Sequence, residues 1–373
     1  MEGPLRVLHV VVNMNRGGAE TLIMNLYRNM DRSKVQFDFL TCKEGVFDSE
    51  IIEMGGQLHR IPYVTEVGHT AYVKQLHQFF RENSRYIIVH SHMDKMSGLV
   101  LHAAEQANIS IRIAHSHNTQ SEGGVASKAY KWYVGTNIKS SATHLFACSK
   151  AAAQWLFKKQ SKETFILKNG IECDKFKFSS NVRNQIREEL NLDKDSLIVG
   201  HVGRFNHQKN HLFLLEVFAQ LTKTIPNAKL LLAGGGILQF TIEEKIKELH
   251  LEEKVKLLGI REDIHLLLQA FDVFVFPSFH EGLPVTLIEA QGAGLPCIIS
   301  DVITKEVDMG VGLIQYLSLN DKNEWVKAML KVTSSGSSSR EVSEECLNQK
   351  GYNIRKTAEF IQKSYIEMGG TVN

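Results

Sequence analysis

Two glutamates separated by seven residues carry the strongest chemical signal in the sequence. Residues 277–290 read Pro-Ser-Phe-His-Glu-Gly-Leu-Pro-Val-Thr-Leu-Ile-Glu-Ala, with Glu281 before Pro284 and Glu289 among apolar residues. Because proline suits the first turn of a helix, we predict a helix that begins near Pro284 and contains Glu289, with Glu281 in the loop before it. The start of such a helix can receive a phosphate, and the two carboxylates can bind sugar hydroxyls.

Two cations follow an apolar run earlier in the same half of the chain. Arg204 comes directly after the run 197–203, and Lys209 follows five residues later at a predicted helix start. The planar fork of arginine and the point charge of lysine both suit a diphosphate, whereas a surface ion pair would explain either residue alone. The next run ends in three glycines, 234–236, which allow the backbone to approach a neighbour closely.

Two histidine pairs follow strand-like runs in the first half. His90 and His92 follow the run 86–89, and His115 and His117 follow the run 110–114. A spacing of two residues places each pair on one face of its strand, where the four imidazoles could bind zinc, or one could act as an acid, a base or a polarising group. The lack of a carboxylate or thiolate at a suitable spacing argues against a metal, and packing at strand ends is the structural alternative.

The elements that must position these residues follow one pattern throughout. Short apolar runs alternate with helical spacing, which predicts βαβ units and a parallel sheet covered on both faces. The pattern restarts once, after a polar segment (174–196) that we predict to be a linker and helix. The predicted fold is α/β, with two doubly wound domains at 1–172 and 173–350, a serine-rich loop at 334–339, and a final helix within 351–373. The predicted strands are 5–12, 35–41, 86–89, 110–114, 144–147, 164–167, 197–203, 228–233, 254–258, 272–276 and 297–300.

Composition limits the protein class. The chain has 373 residues, of which 43% are hydrophobic and 23% are charged, so disordered and disulfide-scaffold classes are excluded. Five scattered cysteines, no long apolar run and no leader pattern predict a soluble cytoplasmic protein.

The charge of the chain is unevenly distributed. Residues 1–170 hold 20 Lys+Arg against 14 Asp+Glu, a net charge of +6, and the remaining residues have a net charge of −4. The basic half suits an anionic partner, such as a phosphorylated substrate or an anionic membrane surface, although a lysine-rich solvated surface would also explain it. No basic stripe with interleaved aromatic residues predicts nucleic-acid binding.

Taken together, these features resemble a retaining glycosyltransferase of the GT-B fold in glycosyltransferase family 4, over nearly the whole chain. The matching motifs are a glycine loop after the first strand, Ser-His-Asn at 116–118, Asn-Gly-Ile at 169–171, the Arg204 and Lys209 pair, and the two glutamates. Short sequence segments such as Arg-Gly-Gly-Ala-Glu at 16–20 are similar to those of bacterial exopolysaccharide and capsule enzymes of the EpsF type.

The resemblance implies two Rossmann-like domains facing a central cleft. The C-terminal domain would hold a nucleotide-diphosphate sugar, expected to be a UDP-sugar, and the N-terminal domain a glycan or lipid-diphosphate-linked acceptor. Arg204 and Lys209 would neutralise the diphosphate in place of a metal ion, so no cofactor or metal is expected. Glu289 would bind the ribose, Glu281 the donor sugar, and His117 the donor sugar near its reacting carbon.

The basic first half predicts that the enzyme docks on the inner face of the membrane, near a lipid-diphosphate acceptor. The resemblance implies that the last helix crosses back onto the first domain and also assigns supporting residues. Proline at 284, where relatives often have glycine, would leave the neighbouring amides of Leu283 and Val285 to serve the donor. A sugar-nucleotide 2-epimerase and an inactive nucleotide-sugar-binding scaffold stay as alternatives. Further donor contacts would come from Gly17, Gly18, Ile260, Arg261, Gly282, Leu283, Pro284 and Val285.

Overall fold

The chain forms two compact units. The computed structural model describes residues 3–121, 123–334, 340–342 and 344–371. The first unit comprises Met1–Gly170 together with Gly351–Asn373, and the second comprises Ile171–Lys350. The chain therefore enters the second unit two residues before the predicted boundary and returns to the first at Gly351.

The first unit is built on a seven-stranded parallel sheet in the order β3-β2-β1-β4-β5-β6-β7. Its helices connect successive strands, as a doubly wound sheet requires. The strands are β1 (Leu5–Val10), β2 (Val35–Thr41), β3 (Leu58–Arg60), β4 (Ile88–Ser91), β5 (Ile111–Ser116), β6 (His144–Ala147) and β7 (Phe165–Ile166). The helices are α1 (Gly18–Arg28), α2 (Asp48–Glu53), α3 (Val64–Glu82), α4 (Ser97–Gln106), α5 (Val125–Gly135), α6 (Ile138–Ser141) and α7 (Lys150–Phe157).

The second unit repeats the architecture with six parallel strands in the order β10-β9-β8-β11-β12-β13. Its strands are β8 (Ile198–Val202), β9 (Lys229–Ala233), β10 (Val255–Gly259), β11 (Val273–Phe276), β12 (Cys297–Ser300) and β13 (Ile314–Leu317). Its helices are α8 (Cys173–Phe176), α9 (Ser180–Glu189), α10 (His211–Leu221), α11 (Gln239–Glu248), α12 (Ile264–Ala270), α13 (Val285–Gly292), α14 (Lys322–Ser334) and α15 (Glu344–Gln349). The α/β prediction of two doubly wound sheets is confirmed.

The pattern of apolar runs does not predict two of the strands, β3 and β13. The edge strand β3 has three residues, Leu-His-Arg, and β13 reads Ile-Gln-Tyr-Leu. Both are incompletely buried, whereas all seven residues of β2 are buried. These two edge strands lack the continuous apolar run that marks a strand covered on both faces, so the periodicity does not reveal them.

The polar segment 174–196, predicted as a linker and helix, belongs to the second unit. Helix α9 packs against α12, and Arg183 and Arg187 both donate to the Asp272 carboxylate, at 2.5 and 2.7 Å. The same carboxylate accepts the backbone N–H of Ile198 at 2.7 Å. The predicted helix is present as α9, and charge pairing fixes this segment where apolar residues are few.

The last helix, α16 (Ile354–Gly370), completes the first unit by packing against α1, β1 and β2. Ile354, Ala358, Ile361 and Tyr365 form its buried face, as the spacing predicted. The predicted serine-rich loop lies outside the described residues, apart from Ser334 at the end of α14. Among the helices of the described chain, none is both long and apolar enough to cross a bilayer.

Candidate functional site

The segment with the two glutamates has the predicted form. Helix α13 begins at Val285 with Pro284 as its N-cap, at φ −70° and ψ 117°. Glu281 lies in the loop between β11 and this helix, and Glu289 lies inside the helix. Since the first N–H groups of a helix have no intrahelical acceptor, the start of α13 offers donors to an anion.

Lys209 and Glu281 meet directly. Lys209 Nζ lies 2.7 Å from Glu281 Oε1 and 4.6 Å from the centre of the Phe276 ring, and both side chains of the ion pair are largely buried. Gln208 joins the loop that carries Lys209 to the loop that carries Glu281. Its side-chain amide donates to the backbone carbonyl of His280 at 2.8 Å, and its backbone carbonyl accepts the N–H of Phe279 at 2.9 Å. The predicted cation and the predicted sugar-binding carboxylate are thus one ion pair in this structure.

Arg204 lies in the same loop but is exposed to solvent. The three glycines after β9 do approach a neighbour closely, and that neighbour is this loop. A Cβ on Gly234 would lie 2.0 Å from the Gly203 carbonyl oxygen, and one on Gly236 would lie 2.6 Å from that of Phe205. Both glycines have positive φ, at 147° and 155°. They therefore shape the loop that presents Arg204.

Glu289 has no salt-bridge or hydrogen-bond partner among the described residues. Burial raises the pKa of its half-buried carboxyl to about 7. In the same segment, the hydroxyls of Ser278 and Thr286 are buried and likewise lack a hydrogen-bond partner among the described atoms. Buried polar atoms are normally satisfied, so this cluster is suited to a polar ligand.

Ile260 and Arg261, which were predicted to contact a donor, differ in how accessible their side chains are. Ile260 is 65% exposed and lies 3.4 Å from the position that a Cβ on Gly235 would occupy. The Arg261 guanidinium pairs with Asp263 at 2.5 Å and reaches Glu189 at 3.5 Å. The sequence did not indicate these two carboxylates, which form ion pairs with the Arg261 guanidinium.

The glycine pair at the start of α1 belongs to the first unit. Gly17 is the N-cap, and a Cβ there would lie 2.2 Å from Glu20 Oε2, so the glycine makes room for a glutamate that folds back over it. A Cβ on Gly18 would meet no atom within 4 Å, which leaves open space beside the first turn.

His117 lies directly after β5, and its backbone N–H donates to Asp94 Oδ1 at 2.9 Å. Asp94 also accepts the Asn118 amide at 3.0 Å, and burial raises the pKa of this carboxyl. Burial lowers the pKa of His117 to about 3, so the imidazole is neutral. Sequence reasoning missed Asp94 because its role depends on φ +47°, a conformation that aspartate adopts more readily than most residues.

A fifth histidine, His9 on β1, joins the four that the sequence identified. It lies opposite His90 in the register of β1 and β4, and its ring stacks at 5.3 and 5.1 Å on those of His90 and His92. A lone histidine within an apolar strand gives no motif. Its position at the end of a central strand is the signal that could have found it.

Comparisons with known proteins cover both units. Residues 16–175 match the family described as Glycosyltransferase Family 4, and residues 182–344 match the family described as Glycosyl transferases group 1. EpsF of Bacillus subtilis (strain 168), which is named as a glycosyltransferase, is 40% identical over 370 residues, covering 94% of each chain.

A more distant relative and a solved structure extend the comparison. The Escherichia coli UDP-Gal:alpha-D-GlcNAc-diphosphoundecaprenol alpha-1,3-galactosyltransferase is 26% identical, covering 98% of this chain and 97% of the relative. The crystal structure of Anabaena HepE in complex with UDP and glucose has a TM-score of 0.74 at 19% identity, covering 99% and 98% of the two chains. That likeness shows the fold.

The raised pKa of Glu289 predicts a pH-dependent stability. The folded chain keeps a proton up to about pH 7 that the unfolded chain releases near pH 4.5, so stability is lost as the pH rises between these values. Glu289→Gln removes this loss and should stabilise the second unit by about 2 kcal/mol more at pH 8 than at pH 4.5. Urea unfolding followed by emission of the buried Trp325 measures the difference.

The matched control is Glu252→Gln, which removes one charge at an exposed position of the same unit. Its effect should change little over this pH range. An effect of Glu289→Gln that does not vary with pH would contradict the raised pKa.

Proposed function

Because the chain belongs to the family 4 glycosyltransferases, we propose that it is a retaining, metal-independent hexosyl- or N-acetylhexosaminyltransferase. Its donor is a UDP-sugar, its acceptor is a glycan or a lipid-diphosphate-linked sugar, and its product enters exopolysaccharide or capsule biosynthesis. The observation that carries the proposal is the Lys209–Glu281 ion pair beside the start of α13. It combines a cation for a diphosphate with a carboxylate for sugar hydroxyls.

The donor assignment is supported by the polar groups of the second unit. Arg204 is exposed and able to pair with a phosphate, while the unpartnered Glu289 carboxyl can accept hydrogen bonds from ribose hydroxyls. Ile260 offers an exposed apolar side chain to a base. HepE, which shares the fold, was crystallised with UDP, and this favours uracil as that base.

The proposed sugar transfer depends most on the two cations, Arg204 and Lys209. In the proposed transfer the bond between the anomeric carbon and the diphosphate oxygen breaks, and the diphosphate keeps the electron pair. The acceptor hydroxyl adds to the same face of the sugar, and its proton passes to the diphosphate. Negative charge grows on the leaving group, so Lys209 and Arg204 bind the transition state more strongly than the ground state.

The acceptor assignment is supported by the charge of the first unit. Residues 123–170 contain eight lysines and a single glutamate. In the same stretch, α5 exposes Val125, Trp132 and Tyr133 by 87, 59 and 65%, with Lys128 one turn after Val125. Exposed aromatics among lysines suit the headgroup region of an anionic bilayer, where a lipid-linked acceptor resides. The relative from Escherichia coli is named for a diphosphoundecaprenol acceptor.

Calorimetry of the purified protein tests the donor. We expect UDP to bind, GDP and ADP to bind far more weakly, and EDTA to leave the affinity for UDP unchanged. Glu289→Ala should weaken UDP binding roughly 10- to 100-fold, the value of hydrogen bonds to a charged group, while Glu252→Ala should not. Binding of none of the nucleotides would favour an inactive scaffold, and binding abolished by EDTA would contradict metal independence.

Lys209→Met should slow transfer roughly 100-fold while changing the donor KM much less, because its charge acts mainly on the departing diphosphate. Release of UDP from a UDP-sugar, with and without a lipid-diphosphate-linked sugar, measures this. Lys209→Arg should recover part of the rate, and Lys223→Met, at an exposed site of the same unit, should be neutral. Unchanged turnover would exclude the role, and a C2-epimerised donor formed without acceptor would favour the epimerase.

Co-sedimentation of the full chain with vesicles tests the membrane surface. Phosphatidylglycerol vesicles should bind it, phosphatidylcholine vesicles should not, and added salt should weaken binding. Lys128→Gln should lower the partition coefficient about fivefold, and Trp132→Ser about tenfold. Phe240→Ser removes an aromatic that is 73% exposed in the second unit and serves as the control. Equal binding to both vesicle types would exclude this surface.

A further inference from the structure

Five histidines at the carboxyl ends of β1, β4 and β5, three of them buried and His92 and His117 partly buried, form two hydrogen-bonded rows. In the first row, which we call the His117 row, His117 Nε2 lies 2.9 Å from His92 Nδ1, and His92 Nε2 lies 2.9 Å from His9 Nδ1. In the second row, the Tyr365 hydroxyl lies 2.6 Å from His90 Nδ1, and His90 Nε2 lies 3.0 Å from His115 Nδ1.

All five imidazoles are neutral. Burial lowers the pKa of His9 and His117 to about 3, and it lowers those of His90, His92 and His115 well below the ordinary value. A neutral imidazole has one N–H donor and one bare nitrogen acceptor. Each row therefore has a direction, and the direction decides which nitrogen of every ring carries the proton.

The rings are arranged as partners of one another rather than as ligands of one metal. The nitrogens of His9, His90 and His92, and those of His92, His115 and His117, lie within 4.8 Å of one another. Metal ligands direct their lone pairs at a common point. Here each bonded pair of nitrogens faces across 2.9 or 3.0 Å, the length of a hydrogen bond.

The surroundings of His9 set the direction of the His117 row. His9 Nε2 has no hydrogen-bond partner among the described atoms, and the His9 ring lies beside aromatic rings, with its centroid 4.0 Å from that of Phe37. An N–H there can interact with π electrons, whereas a bare lone pair finds no donor. His9 therefore carries its proton on Nε2 and accepts through Nδ1.

The remaining assignments follow along the row. His92 Nε2–H donates to His9, so His92 Nδ1 is bare and accepts from His117 Nε2–H. His117 Nδ1 is then left without a proton, and it is buried without a hydrogen-bond partner among the described residues. In the second row, the 2.6 Å contact suits an O–H donor, so Tyr365 donates to His90 and the same Nε2–H tautomer results.

We propose that the His117 row is a positioning device that holds His117 as the Nε2–H tautomer, with His92 and His9 as positioning residues, so that Nδ1 accepts a hydrogen bond from a hydroxyl of the donor sugar. The sugar contact rests on the proposed function, and the tautomer does not. The hydroxyl keeps its proton, because the row orients an acceptor and transfers nothing.

Nitrogen NMR of the full chain, labelled with ¹⁵N at histidine, reads the tautomers without any ligand. A His117→Gln spectrum assigns the His117 signals. We expect a protonated Nε2 and a bare Nδ1 at His117 in the wild type. Nδ1 protonated in the wild type would overturn the proposal.

Two variants of equal size test the row itself. His9→Leu removes the acceptor of His92 Nε2–H, so the direction of the row is no longer fixed, and His92 and His117 should show a mixture of their Nε2–H and Nδ1–H tautomers. His9→Asn supplies an oxygen near the place of Nδ1 and should keep the wild-type His117 signals. Tyr365→Phe interrupts only the second row and should also leave them in place. Identical His117 signals in the Leu and Asn variants would overturn the row.

Kinetics separate the sugar contact from the row. In the His9→Leu variant kcat/KM for the donor should fall about tenfold, and in His9→Asn it should stay within about twofold of the wild type, since a merely structural loss would lower both. Equal losses in the two variants would overturn the sugar contact. If the wild-type spectrum is as expected but no nucleotide binds, the proposed function fails while the tautomer assignment holds.

Discussion

Parallel pairing in a fixed register is the constraint on which the candidate residues of each unit depend. In the first sheet, the register of β1 and β4 sets His9 opposite His90, and the pairing of β4 with β5 extends the row of imidazoles. In the second sheet, β8 pairs with β11, so the loops that follow these strands leave the sheet side by side. Lys209 and Glu281, 72 residues apart in sequence, meet because of that pairing. A slip of one residue would turn the strand residues His9 and His90 to the opposite face of the sheet.

The Lys209–Glu281 ion pair explains how two charges can be largely buried in the second unit. Each offsets part of the desolvation of the other, and removing either would leave an uncompensated charge. On the proposed reaction, an incoming diphosphate shares the Lys209 ammonium, and sugar hydroxyls donate to the Glu281 carboxylate. The resting pair then exchanges one set of charge-assisted hydrogen bonds for another, so the donor is bound without burying a lone charge.

The sequence predicts what local pattern controls. The continuous apolar runs predicted the buried strands. Pro284 predicted the start of α13, with Glu281 outside the helix and Glu289 inside it. The sequence did not predict the edge strands β3 and β13. It also did not predict two sets of ion pairs, those of α9 with Asp272 and those of Arg261 with Asp263 and Glu189. Each of these depends on tertiary neighbours or on edge positions that leave no periodic signature. His9 belongs with them, because its role exists only beside two strands that come much later in the chain.

In the proposed reaction, the two units act on groups that develop opposite charges. In a transfer with an oxocarbenium-like transition state, positive charge develops on the sugar and negative charge on the leaving diphosphate. Cations next to the sugar would oppose that separation, whereas cations on the diphosphate assist it. The second unit supplies Arg204 and Lys209, and the imidazole rows of the first unit are kept neutral by burial. A charged histidine at position 117 would repel the developing cation, so a buried row of neutral rings is a physical reason to build this contact from histidine rather than lysine.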